Sequence, residues 1–227
     1  MRYVKGMMGF FGLALLGMAP LAGFADVPPS MVEVVSPKVS LRLVEDWWQW
    51  AESVPLEKSP IQDETGADCA QDQQGPVWFL AGGYGTSKIH RACTIPAGKS
   101  LFFPIINMVY FPGPGSTPLN FTCADAQEYA ELDNDTAMDL FASVDGVSIE
   151  GLKRFRVSTH DCFDIFARLP EDQQPYSGYP SATDGFWLML KPLSKGRHLI
   201  KFGGRYNSST PDYGHMIQDI EYELTVE

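Results

Sequence analysis

The sequence predicts a mainly β protein, an antiparallel β-sandwich of jelly-roll type with two accessory α-helices. Three observations carry this expectation. Apolar runs of strand length recur at 8–15-residue spacing through most of the chain. Tight glycine turns separate them, as at Pro96-Ala97-Gly98 and Asp145-Gly146. No strand–helix–strand rhythm is present that would require a parallel sheet covered on both faces.

The elements follow in chain order. Arg2 and Lys5 precede an apolar run from Met7 to Leu21, and Gly23 and Ala25 stand where a signal peptidase reads. Residues 1–25 are therefore expected to be a signal peptide cleaved near Ala25, with a core too short for a membrane span. Phe24 occupies the place where a lipid-anchored precursor would carry cysteine. The expected location is periplasmic or secreted, without stable membrane insertion. Residues 26–36 read as an extended leader and 37–227 as a single sandwich domain.

Ser36-Pro37 starts a helix over about 38–54, with serine as N-cap and proline in the first turn. Val39, Leu43, Trp47, Trp50 and Val54 recur at helical spacing, and Pro55 stops the run. Trp48 lies off that stripe and is expected to be exposed. Val77–Leu80, Ala92–Ile95 and Leu101–Phe111 read as strands, the last buried on both faces because its apolarity is unbroken. Pro104 within it calls for an edge or a bulge.

Thr122-Cys123-Ala124-Asp125 forms a capping box that opens a second helix, about 124–141. After the Val144–Val147 hairpin, strands are expected at Phe155–Ser158, Phe163–Leu169, Gly185–Leu190 and Leu199–Phe202. The final strand is the clearest. Ile220, Tyr222, Leu224 and Val226 alternate with Asp219, Glu221, Glu223 and Thr225, a period of two with one wet face.

Hydrophobic residues make up 44% of the chain, enough for a substantial core. The whole chain has a net charge of −11, and loss of Arg2 and Lys5 leaves 15 basic against 28 acidic residues, near −13. Such a surface repels phosphate backbones, which argues against nucleic-acid partners. The expected ligand is a carbohydrate or another neutral or cationic species; no oligomeric state is specified. Four cysteines, Cys69, Cys93, Cys123 and Cys162, are even in number and suit two disulfides in an oxidising compartment. Of the three possible pairings, Cys69–Cys93 with Cys123–Cys162 is preferred. The first pair brackets one compact segment and leaves the second to join a helix to a strand.

Several blocks of sequence stand out together. Trp47-Trp48-Gln49-Trp50 is followed by Asp63-Glu64-Thr65-Gly66-Ala67-Asp68-Cys69 and by Gly75-Pro76-Val77-Trp78-Phe79-Leu80-Ala81-Gly82. Arg91-Ala92-Cys93-Thr94-Ile95-Pro96-Ala97-Gly98-Lys99 and Leu101-Phe102-Phe103-Pro104-Ile105-Ile106-Asn107 complete the order. This motif order resembles a family of uncharacterised exported bacterial proteins, over about residues 44 to 226. The resemblance implies export, a Cys69–Cys93 bridge and a β-sandwich, and it implies no particular chemistry.

Motifs that bind cofactors or activate nucleophiles are missing. There is no Gly-x-Ser-x-Gly, no P-loop, no dinucleotide fingerprint and no His-Glu-x-x-His, so no cofactor is expected. Gly82-Gly83-Tyr84-Gly85 reads as a turn. Among the histidines, His160 with Asp161 and Asp164 is the nearest approach to a metal cluster, and a weak one. His198, in step with Ile200 and Phe202, reads as structural. Asp133-Asn134-Asp135 with Asp139 has a calcium-loop composition without its glycine and glutamate, and a solvated helix face is the preferred reading.

Two sets remain as ligand-binding candidates. Tyr176 and Tyr179 sit in a Gly/Pro/Ser loop and could stack on sugar rings, or pack on the sandwich rim. Asp63, Gln74, Arg91 and Asn107 flank buried apolar runs and form either a structural network or a small-ligand pocket. The leading functional expectation is a non-catalytic binding or structural module. A hydrolase or lyase acting on extracellular polysaccharide is the alternative.

Overall fold

The computed structural model describes residues 31–85, 88–114, 120–210 and 213–227. The expected signal peptide and residues 26–30 of the leader lie outside them. Helix α1 spans Pro37–Ala51 and α2 spans Cys123–Asp135. The strands are β1 Val77–Phe79, β2 Lys88–Ile95, β3 Ser100–Tyr110, β4 Met138–Val144, β5 Val147–Ser148, β6 Arg156–Ser158, β7 Ala182–Leu190, β8 Gly196–Arg205 and β9 Ile217–Val226. They form two sheets, ordered β1-β3-β7-β6 and β2-β9-β8-β4-β5. Among the described residues the protein is mainly β, a two-sheet sandwich with two α-helices.

Both sheets are mixed. β1 pairs parallel to β3 and β2 parallel to β9, while the remaining described pairs are antiparallel. The reason lies at the Pro96-Ala97-Gly98 turn. The strands on either side of it enter different sheets, so β2 pairs with β9 while β3 pairs with β1 and β7.

Leu101, Phe103 and Leu188 of the first sheet meet Ile200, Phe202 and Leu224 of the second in the main core. Phe103 and Phe202 ring centroids are 4.6 Å apart. A second core lies on the other face of the first sheet, where Trp47 and Trp50 of α1 pack among Phe79, Phe102 and Trp187. The first sheet is therefore covered twice, which is why β3 and β7 are buried along nearly their whole length. In the second sheet β2 and β9 keep one wet face and alternate. Trp48 is buried with the other two tryptophans, contrary to expectation; its indole donates to Thr183 Oγ1 at 2.8 Å.

Helix α1 ends at Ala51, earlier than expected, where Pro55 has no N–H to offer the Ala51 carbonyl four residues before it and its ring crowds that carbonyl. The Thr122–Asp125 capping box is present at the start of α2. The end of α2 differs from the expectation by more. Residues 138–141 are strand, paired to β8, so tertiary hydrogen bonding overrides their helical composition. Residues 163–169 are not a strand either. Phe163 makes one bridge to Ser181, and then Asp164 Oδ1 accepts from Phe166 N at 2.9 Å and turns the chain. The Asp133-Asn134 pair faces inward rather than to solvent: Tyr110 donates to Asp133, and Tyr206 to Asn134 at 2.8 Å. Arg156 grips Asp184 through Nε and Nη2 and reaches Asp135 at 2.7 Å.

Both expected disulfides are present, Cys69–Cys93 and Cys123–Cys162. The second joins the first turn of α2 to the segment following β6, which is not a strand at that point. The described part of the leader, residues 31–36, runs extended, and its start lies beside the end of β7, where Glu33 N donates to Met189 O at 2.8 Å. Pro104 marks a bulge, as expected, and the register shifts between Pro104 and Ile106.

Asp145 and Gly146, both at positive φ, close the β4–β5 hairpin, and Asp145 then holds β8. Its Oδ1 accepts from Leu199 N, and its Oδ2 lies 2.8 Å from His198 Nδ1. Burial alone would lower the His198 pKa, but the Asp145 carboxylate and the Ser194 carbonyl hold it above the usual histidine value. A raised folded-state pKa contributes stability that is fully present below about pH 6.5 and lost as pH rises through the folded value. Proton NMR titration should place His198 above about 6.5, and His198→Ala should flatten the stability decline above that pH. An unshifted titration refutes the pairing.

Candidate functional site

Beside the second core, at the C-terminal end of α1, a pocket of about 150 Å³ opens between that helix and the first sheet. Its position follows from the bulge in β3. Ile105 and Ile106 both belong to the main core, so the alternation slips by one residue. Asn107, Val109 and Phe111 consequently face α1. Gly185 lies opposite Asn107, and a Cβ there would come within 2.5 Å of the Asn107 Cβ, so the close approach requires glycine.

Trp47 and Trp48 form one wall, edge to face at 4.9 Å between ring centroids. Trp47 Nε1 donates to Leu80 O at 3.0 Å and Trp48 Nε1 to Thr183 Oγ1, so both indole N–H groups are engaged within the protein. Gly82, Gly83 and Tyr84 form the opposite wall, with Tyr213 and Met216 at its edge. Two buried side chains pin that wall. Arg91 donates to Ala81 O at 2.8 Å and Gly82 O at 2.9 Å. Gln218 Oε1 accepts from Gly83 N at 3.1 Å, while its Nε2 donates to Ile105 O at 2.6 Å, tying the wall to the bulge.

Two polar groups in the pocket lack partners. Asn107 is 6% exposed, and its Nδ2 has no acceptor among the described residues. Such an orphaned donor is uncommon in a folded protein and calls for an explanation. Glu52 caps the C-terminal end of α1, and its half-buried carboxyl makes no ion pair or hydrogen bond within the described residues. Burial raises its pKa to about 6. An acid at a helix C-terminus also opposes the helix dipole, so stability alone would favour a base there. Glu52 is felt by its neighbours: the phenols of Tyr84 and Tyr176 are pushed upward, first by burial and next by its charge.

The expected ligand residues separate on this geometry. Asn107 lines the pocket, and Tyr176 stacks on its Phe111 wall with centroids 6.1 Å apart. Arg91 is 1% exposed and serves the wall from behind, with five acceptors: Asp63 O, Ala81 O, Gly82 O, Ile61 O and Tyr222 Oη. Asp63 folds the loop before Cys69. Burial would raise its pKa, but hydrogen bonds from Asp68, Thr65 and Gly66 hold it below the usual carboxylate value. Gln74 is exposed and donates to Asp72, outside the pocket. Tyr179 is 54% exposed and does not line it.

His160, Asp161 and Asp164 do not converge. His160 lines a wider groove with Arg154, Arg156 and Trp187, and the Asp164 side chain is engaged by Phe166 N. No group of three or more His, Cys, Asp or Glu side chains among the described residues is placed to hold a metal ion. Sequence reasoning missed Glu52 and Gln218. A carboxylate closing a helix that carries three tryptophans was the available signal for Glu52; nothing in the alternating strand marked Gln218.

Glycoside hydrolysis ordinarily uses two carboxyl groups about 5–9.5 Å apart. Among the described lining residues Glu52 is the sole acid. The pocket presents aromatic walls, one amide and one carboxyl. Comparison of the chain with protein-family models, curated proteins and solved structures gives no match. No helix among the described residues is long and apolar enough to cross a membrane. The paired cysteines suit a periplasmic or extracellular protein.

Proposed function

We propose that the protein is an exported, non-catalytic binding module that holds one small neutral or cationic ligand between α1 and the first sheet. The observation carrying this reading is the aromatic pocket itself, in which the half-buried Glu52 carboxyl has no partner among the described residues and Asn107 adds an amide to the lining. A volume of about 150 Å³ is well below the ~300–1,000 Å³ of drug-sized clefts. It admits one ring or one compact head group, so a carbohydrate ligand enters as a single sugar ring and not as a chain. Tyr176 supports the pocket wall from behind, the packed one of the two roles open to the tyrosine loop. Export through the signal peptide and kinship with the exported family are parts of the same proposal. The motif blocks that carry the resemblance supply Trp47, Trp48, Gly82 and Asn107 to this one pocket.

The test is a binding panel of monosaccharides, small ammonium ions and small carboxylates, read by tryptophan fluorescence and calorimetry. Binding of a neutral or cationic compound is expected, with carboxylates excluded. Asn107→Leu should abolish it while leaving the melting temperature unchanged or higher, because the orphaned donor is removed. Unchanged binding by that variant, or preference for carboxylates, overturns the proposal.

A further inference from the structure

We infer that the pocket is an organic-cation site, shaped for a methylated ammonium head that carries an oxygen acceptor beside it. The inference rests on the binding-pocket reading above and names its ligand class. Three features of the lining converge on it. Trp47, Trp48, Phe111, Tyr84 and Tyr213 surround the space with aromatic side chains. The engaged Trp47 and Trp48 N–H groups leave these residues to act through their rings. Ring faces attract cations through their quadrupole, best of all for tryptophan and in a desolvated setting.

The second feature is the unpaired carboxyl of Glu52. No Lys, Arg or His is among the described residues lining the pocket, so the negative charge has no protein countercharge there. A half-buried carboxylate without a cation is costly to keep ionised, and a bound ammonium supplies what is missing. The third is the Asn107 amide in the lining, which offers a polar contact to an oxygen-bearing ligand. A sugar ring fits less well. Hydroxyls project around its rim and each needs a partner when buried, whereas the described lining side chains offer polar groups only at Glu52, Asn107, Tyr84 and Tyr213.

Choline and its uncharged carbon isostere, 3,3-dimethylbutan-1-ol, have nearly the same shape and separate charge from size. Calorimetry on the intact protein near pH 8 should give choline at least a ~10-fold lower Kd than the isostere, from cation–π and ionic contacts together. Glu52→Gln should remove most of that preference while the protein stays folded. In the wild type, choline affinity should fall as pH drops through about 6 and Glu52 takes up a proton, with isostere affinity flat. The Tyr84 and Tyr176 phenols beside Glu52 are pushed further up by burial and by its charge, so they stay neutral over this range. If Glu52→Gln does not fold, the wild-type pH series makes the same decision. Equal binding of choline and isostere overturns the cation assignment and leaves the pocket standing. Binding of a monosaccharide with none of choline also overturns it, in favour of a sugar. Failure of every compound overturns both readings.

Discussion

Replacing Arg91 with methionine should lower unfolding stability by about 5 kcal/mol, the largest effect of any single substitution considered for this protein. The guanidinium is fully enclosed and gathers Ile61 O, Asp63 O, Ala81 O and Gly82 O, together with Tyr222 Oη. Methionine fills much of the volume and satisfies none of these acceptors. Each buried acceptor left without a donor costs ~1–3 kcal/mol. Tyr222 softens the loss, since its hydroxyl also donates to Ala81 O at 3.1 Å and so keeps that carbonyl bonded. A ~5 kcal/mol loss equals the whole stability of a marginal domain, so the variant should populate unfolded chains without denaturant. Arg91→Lys should recover only part of the stability, because one ammonium cannot reach acceptors spread over three chain segments. Urea unfolding followed by tryptophan fluorescence decides it; a loss below about 1 kcal/mol would show that water replaces the guanidinium. The same substitution should loosen Gly82 and with it the pocket wall, so ligand affinity should fall further than stability alone explains.

Reducing both disulfides should be nearly as damaging. Cys69–Cys93 and Cys123–Cys162 close loops with sequence separations of 24 and 39 residues. Loop-closure entropy assigns roughly 3–4 kcal/mol to each, with residual structure in the unfolded chain making the sum an upper bound. Reduced protein should therefore unfold at much lower urea than oxidised protein, with a higher m-value because the unbridged unfolded chain exposes more surface. The bridges differ in what they secure. Cys69–Cys93 locks the loop that presents Asp63 O to Arg91, so its double serine variant should lose pocket binding along with stability. Cys123–Cys162 ties α2 to the segment after β6, away from the pocket lining, and its variant should bind normally once folded. Equal loss of binding in both variants would refute that division.

Some of this molecule was legible in its residues because the deciding interactions are local. The Thr122–Asp125 capping box lies within one turn, the Asp145-Gly146 turn sets the φ of two residues, and the alternation of β9 repeats every second residue. Pro104 marked its bulge because a missing N–H has no remedy inside a ladder. The even cysteine count implied pairing, and the brackets it drew around short segments matched the bridges that form.

The remainder was decided by distant partners. Residues 138–141 have helical composition but hydrogen-bond to β8, and Trp48 is off the stripe of its helix but meets Thr183, which is 135 positions along the chain. The two strands flanking one tight turn separate into different sheets, since the choice of partner depends on which apolar faces need covering. The pocket belongs wholly to this second class. Glu52, Asn107 and Tyr84 come from a helix end, a bulged strand and a glycine turn, and Gln218 stitches two of these together from the last strand. By itself the sequence determined the strand-rich class, the caps and turns, and the capacity for two disulfides, because backbone conformation and side-chain periodicity act over a few residues. Only the tertiary structure decided which polar groups are buried without partners, because that depends on contacts between segments far apart in the chain.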